Sequence, residues 1–503
     1  MNKKRIYASV LCALMVTATA ASLSSCADSQ SAGTTTTATG TSDSGAVNTV
    51  NIPDDVRFDG EEISFAIAET DGDGFHKRSI ISEDADTTNS VDAAVFERNA
   101  WVEERLGVEI VEGFYSTSQN IRSSIVRTSL AAGDSDYDVI CGLQWNDVEL
   151  CLEGTLADLN ELYEDGQKID YLNLDADYWS TYYIDAMRCG NSIYWLTGDL
   201  CLRYTGGFYC MFVNQQIYED TLMSQYGSLY DLVKQGDWTL DLLAEMIPYA
   251  FQDDGDDVLT KSDQLGLALP VWDNVNGLSI GAGVVYSTRN DDGSINLTFN
   301  NTNTTALSFM SKIYSLLNSG YCINYGGDYS GAMKDFASGK SCFISGRLNQ
   351  AELYLSEMSD NYYIVPCPKL DSTQTSYHSS VHDGINLYGI NASSEHLAAT
   401  AATLELMAYG SYTNVRSVYY DQALKYMYSR DSGAAEMIDL MGSVVYSDFV
   451  YIWQFSDYFS GLGDFLRGNV TANKASSAMK RYQNQWQSGL ESVLEDIEAL
   501  EDI

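Results

Sequence analysis

An α/β chain with two strand-and-helix regions and a helical final third is predicted by three observations. Strand-like and helix-like runs alternate from Glu61 to about Leu162. The alternation resumes from about Gly206 to Pro368. Beyond it, apolar residues recur at helical spacing. Alternating β and α segments are the pattern of sheets with crossover helices.

The elements follow in order. EEISFAIAE reads as a strand that ends in the loop TDGDGF, where Asp71 and Asp73 lie. VDAAVFERNAWVEERLG reads as a helix, because Val91, Val95, Val102 and Leu106 fall close to whole turns from one another. VEIVEG is a second strand, and SSIVRTSLAAG a helix with a glycine stop. YDVICGL is a third strand, apolar enough for burial on both faces, and a further helix is expected from about Asp147 to Leu162. In the second region the strands are GFYCMFVN, QLGLALPVW and SCFISG, with helices near WTLDLLAEMIPYAF and TTALSFMSKIYSLLNSG. AATAATLELMAYGSY opens the helical third. In the last helix Met479, Tyr482, Trp486, Leu490, Val493, Ile497 and Leu500 mark one docking face.

The N-terminus has a different character. Lys3, Lys4 and Arg5 precede an apolar stretch from Ile6 to about Ala21, the layout of a secretory signal over residues 1–25. It ends in Leu23-Ser24-Ser25-Cys26, which resembles the bacterial lipobox, so Cys26 is the expected lipidation site; an ordinary cleaved signal with an incidental cysteine is the alternative. Residues 26–53 are rich in Ser, Thr and Gly and lack aromatic residues, as expected of a disordered tether. No later run reaches the ~18 apolar residues of a transmembrane helix, so membrane contact is expected through the lipid anchor only.

The net charge is −42. A field of that sign repels nucleic acid and anionic headgroups, so no nucleic-acid partner is expected. Apart from Cys12 and Cys26, eight cysteines remain: Cys141, Cys151, Cys189, Cys201, Cys210, Cys322, Cys342 and Cys367. An even number outside the cell allows disulfides, while the apolar runs around Cys141 and Cys342 suit buried free thiols equally well. His378 and His382 are four apart, but YHSSVHDG reads as loop, and no metal or cofactor is expected. No GxSxG, Walker or dinucleotide motif occurs, and no pair of carboxylates is singled out for glycoside hydrolysis.

Several local patterns then occur in a consistent order: YDVI before GTLADLNEL, NSIYWLTGD, FYCMFVNQQIYED, GDWTLDLLAEM, FASGKSCFISG, YYIVPCPKL and YYDQALKYMYSRDSGAAEMIDLM. From about Val56 to Trp486 the chain resembles the extracellular solute-binding proteins of bacterial ABC importers (family 1, maltose-binding-protein-like), and RNAWVEERLG looks like a lipoprotein subgroup of them. The resemblance implies a periplasmic-binding-protein-like α/β fold of two lobes with a ligand cleft between them. Lobe 1 would comprise 54–200 and 391–430, and lobe 2 201–390 and 431–503 with the C-terminal helices. Crossings would fall near Thr197–Tyr204 and Gly384–Ile390. It implies a monomeric protein, not an enzyme, on the extracellular face of the cell membrane, delivering a small polar solute, most naturally an oligosaccharide, to ABC permease transmembrane subunits. A cell-surface glycoside hydrolase and a glycan-adhesion lipoprotein without a transporter are the alternatives.

Sugars present a C–H face and a rim of hydroxyls, so their sites want flat aromatic rings beside paired polar groups. Trp145 follows YDVICGL, Trp272 and Asp273 follow QLGLALP, and Arg347 follows SCFISG, all at strand ends where open α/β sheets place ligands. Asp199 in TGD is a candidate to bind a hydroxyl or to cap a turn. Trp453 in DFVYIWQFS and Asp71 complete the candidate ligand-binding set, with core packing or a solvated turn as the alternative for each.

Overall fold

Among the described residues, nine strands build the two main sheets. They are β1 (Glu62–Ala68), β2 (Glu109–Ser116), β3 (Val139–Leu143), β4 (Tyr209–Asn214), β5 (Leu265–Leu269), β6 (Cys322–Asn324), β7 (Ser341–Arg347), β8 (Tyr362–Pro366) and β9 (Asn386–Ile390). They come from a computed structural model that describes residues 49–69, 74–82, 89–117, 121, 124–420 and 433–501, all within one compact unit, Ala46–Ile503. The predicted leader, the tether up to residue 48, Cys26 and Asp71 lie outside the described residues.

The first sheet has the order β9-β3-β1-β2, with β1 parallel to both β2 and β3 and β9 antiparallel. The second has the order β6-β5-β7-β4-β8, parallel through β6, β5 and β7 and antiparallel at β4 and β8. All five residues of β3 are buried, as its continuous apolar run predicts. β9 corrects the sequence-based division. Assigned to lobe 2, it is hydrogen-bonded to β3 in the first sheet, so the second passage between sheets precedes Asn386.

The helices that matter for the site are α1 (Ser90–Leu106), α2 (Ile125–Ala132), α3 (Gln144–Asp147), α4 (Leu240–Ala250), α5 (Val271–Gly281), α6 (Thr304–Leu317), α7 (Leu397–Gly410), α8 (Gly433–Ser443), α9 (Phe449–Trp453), α10 (Phe465–Asn469) and α11 (Ala475–Glu501). α1 begins at Asn89, whose side chain accepts from the N–H groups of Val91 and Asp92, and ends at Gly107 with φ 72°. These are an N-cap amide and a left-handed glycine C-cap, and the helix lies where the apolar spacing places it.

Two expectations fail for identifiable reasons. The helix expected over Asp147–Leu162 is replaced by the short α3 and a 3-10 turn, Val148–Glu153. Gly154, at φ 67°, ends that turn, and Leu156 goes on to bridge Asn391 as extended chain. In QLGLALPVW the strand stops at Leu269, because Pro270 has no N–H for the ladder; Val271 and Trp272 begin α5 instead.

The passages between sheets run side by side. Phe208 bridges Val381 antiparallel, and just before the first passage Leu196 bridges Tyr388 of β9, also antiparallel. The C-terminal helices touch both lobes. α9 packs on α3 and on the hairpin strand Ser287–Arg289, and α10 on α5. α11 packs on α6 and on the turn Val148–Glu153. On α11, Met479, Trp486, Leu490, Val493 and Ile497 are buried, confirming the docking face.

Candidate functional site

β3 delivers its end into the space between the sheets. The Asp147 carboxylate accepts from Leu143 N–H (2.8 Å) and Ile121 N–H (2.9 Å), so α3 folds back over the strand end. A Cβ at Gly142 would lie 2.7 Å from Asp147 Cβ, so a glycine is required there. Gln144 N–H donates to Ile385 O (3.1 Å) and Trp145 N–H to Asp383 O (3.2 Å), which locks α3 to the second passage. The Gln144 side chain is fully buried, and neither its Oε1 nor its Nε2 has a hydrogen-bond partner among the described residues. Trp145 is half-buried, and its indole N–H is likewise unpartnered.

From Trp145 a row of flat groups extends to the second lobe. The Trp145 ring meets Phe455 edge-on, with centroids 6.4 Å apart. The Arg467 guanidinium lies 5.1 Å from the Phe455 centroid and 5.9 Å from that of Trp272. Asp464 holds Arg467 at 2.9 Å. Trp272 is 53% exposed, so the row runs from interior to surface. Aromatic rings linked by a guanidinium plane form a surface suited to the C–H face of a sugar.

Polar groups flank this row. On α5, Asn274 Nδ2 donates to Ser345 O (3.0 Å) and Asn276 Nδ2 to Gly463 O (3.4 Å). Each leaves a buried Oδ1 without a partner among the described residues. A Cβ at Gly277 would overlap the Tyr209 ring, so that glycine lets α5 lie directly on the start of β4. At the end of β7, Arg347 is buried with its guanidinium 5.5 Å from the Tyr329 ring, and its N–H donates to Gln350 Oε1 (3.0 Å).

His382 ties these parts together electrostatically. Burial, then the charges of Arg347, Arg203 and Arg467, hold its imidazole well below the usual value, so it is neutral. Its Nδ1 accepts from Gly384 N–H (3.0 Å), which leaves the proton on Nε2, 3.4 Å from Asp383 Oδ1.

The sequence-predicted residues distribute unevenly. Trp145 and Trp272 come together in the row, and Arg347 borders it through His382. Trp453 is fully buried, stacked on Phe449 at 5.3 Å. Asp199 stands apart, ion-paired to Arg416 (3.0 Å) beside a cavity of about 110 Å³ lined by Tyr178, Tyr204 and Tyr420. Burial pushes its carboxyl up to about 6, although Arg416 pulls the other way. Asp71 and the Asp273 side chain fall outside what is described. Sequence reasoning missed Gln144, Asn274, Asn276, Phe455 and Arg467. Gln144 and Asn274 adjoin residues it did choose and Phe455 lies two positions from Trp453, whereas nothing local marks Asn276 or Arg467. A larger cavity of about 410 Å³ on the first lobe is lined by Asn160, Asp170, Asp175, Asp185 and Arg188 among others and has no aromatic wall, so it lacks the stacking surface.

No protein-family model and no curated protein sequence matches the chain. Solved structures do match. A cyclo/maltodextrin-binding protein complexed with maltotetraose superposes with a TM-score of 0.50 at 12% identity, over 88% of this chain and 98% of the other. An ABC substrate-binding protein from Listeria monocytogenes in complex with cycloalternan gives 0.52 at 13%, over 86% and 99%. At these identities the likeness shows the fold: the two-lobed α/β architecture of sugar-binding ABC substrate-binding proteins, with a substantial helical share.

Proposed function

We propose that this chain is an extracellular solute-binding protein that captures a carbohydrate, most naturally an oligosaccharide, between its lobes and presents it to an ABC permease. The observation that carries this reading is the row Trp145–Phe455–Arg467–Trp272, accompanied by the Gln144 amide and the Oδ1 atoms of Asn274 and Asn276, all without a partner among the described residues. Aromatic planes match C–H faces, and amides, which both donate and accept, match hydroxyls. The fold's solved neighbours bind maltotetraose and cycloalternan, which supports the same ligand chemistry here. A thermal-shift screen across mono- and oligosaccharides tests it. A ligand at 100 times its Kd adds about 2.7 kcal/mol to the native state. Failure of every sugar to raise the melting temperature removes the carbohydrate reading. Release of reducing ends from the ligand found would make the protein a hydrolase instead.

The cellular setting belongs to the same proposal. Acylation of Cys26 holds the monomer at the outer face of the membrane, and the Ser/Thr/Gly-rich stretch to residue 53 lets the body reach permease subunits. Cys26→Ser is expected to move the protein from membrane pellet to supernatant after a high-salt wash. Retention in the pellet would contradict the anchor.

A further inference from the structure

We propose that Cys151 and Cys189 are a disulfide pair that braces the wall carrying Trp145. Their sulfurs lie 3.9 Å apart, both side chains are buried, and 38 positions of chain separate them. A cysteine sulfur moves on a single rotatable bond, so two thiols in contact reach the ~2.05 Å of a disulfide by small χ1 rotations. Each half stands on a tight local frame. Cys189 and Ser192 exchange both backbone hydrogen bonds, at 3.1 and 2.9 Å. Cys151 lies in the turn Val148–Glu153, where Val148 O accepts from Trp195 Nε1 (3.1 Å).

That turn is the direct continuation of α3, which carries Gln144 and Trp145. Its Glu149 carboxylate accepts from Asp457 N–H, two residues beyond Phe455. A covalent bond at Cys151 therefore fixes the backbone from which two members of the aromatic row are hung.

The reaction is thiol–disulfide exchange. One thiolate attacks the disulfide of an oxidant such as glutathione disulfide. That step breaks the S–S bond of the oxidant, releases one glutathione thiolate and leaves a mixed disulfide. The second thiolate then attacks the protein sulfur of the mixed disulfide and expels the other glutathione thiolate, so the two electrons and two protons end on two glutathione thiols. The bond forms during folding. In the finished fold both sulfurs are buried, and burial pushes the Cys151 thiol well above its usual value, so little thiolate is available for later attack.

The test uses the full chain, refolded from denaturant in a reduced/oxidised glutathione couple. Remaining thiols are then alkylated in denaturant and the protein digested without reductant. Mass spectrometry is expected to find the Cys151 and Cys189 peptides joined, two hydrogens lighter than their sum. Recovery of both as separate alkylated peptides would overturn the pairing. Protein refolded in dithiothreitol should melt several degrees below protein refolded in the glutathione couple, and Cys189→Ala should melt at that lower temperature after either refolding. Equal wild-type melting temperatures after the two refoldings would also overturn it.

Discussion

Gln144 carries an amide that is unfavourable where it stands. A buried polar group without a partner costs about 1–3 kcal/mol, and this one leaves both of its atoms unpartnered among the described residues. If the amide serves ligand alone, Gln144→Leu keeps the volume and removes the penalty. The expected outcome is a melting temperature equal to or above wild type, with sugar affinity reduced tenfold or more by calorimetry. Lower stability with unchanged affinity would make Gln144 a packing residue. The tryptophans divide by burial. Trp145 is half-buried and Trp272 is 53% exposed, so alanine at either should weaken sugar binding by ~1 kcal/mol or more and leave the fold standing. Trp453 has no exposed surface, and Trp453→Ala should cost about 3–5 kcal/mol of stability by urea denaturation.

Elements whose pattern is local were legible in the sequence. β1, β3, α1 and α11 follow from alternation, apolar runs and helical spacing within a few residues of one another. The extent of α3 was misread, because Gly154 at positive φ outweighs the helical composition of residues 155–162. The candidate site was half legible. Trp145 and Trp272 stand beside strand ends, a position with physical meaning in any open sheet. Phe455 and Arg467 reach the row only because α9 and α10 fold back onto α3 and α5, which no local period encodes. At the first passage, Asp199 predicts a pH dependence. Its carboxyl is raised to about 6 in the fold, above the ordinary value of 3.8. The native state therefore holds a proton that the unfolded chain has released, and Asp199's contribution to stability is full below about pH 4 and lost as pH rises through 6. Denaturation curves from pH 4 to 7 should show a flatter profile for Asp199→Asn than for wild type; identical slopes would contradict the raised value.

For the whole molecule, burial of the proposed contacts has a mechanical implication. Gln144, Asn274 and Asn276 are at most 2% exposed, so a sugar reaches them only when the lobes part. Ligand is then expected to shift the population from open to closed by its differential affinity for the closed form. Small-angle scattering should show a smaller radius of gyration under saturating sugar, and an unchanged radius would exclude closure. How the lobes part is constrained by the passages. Bonded to each other where Phe208 faces Val381, through His382 N–H to Gly207 O (3.0 Å) and Tyr209 N–H to Ser380 O (3.1 Å), they form a ribbon rather than two independent strings. A ribbon flexes easily across its thin dimension and resists sliding of one edge past the other. The joint therefore behaves like a leaf spring with one soft direction, and each opening brings α3 and α5 back into the same alignment.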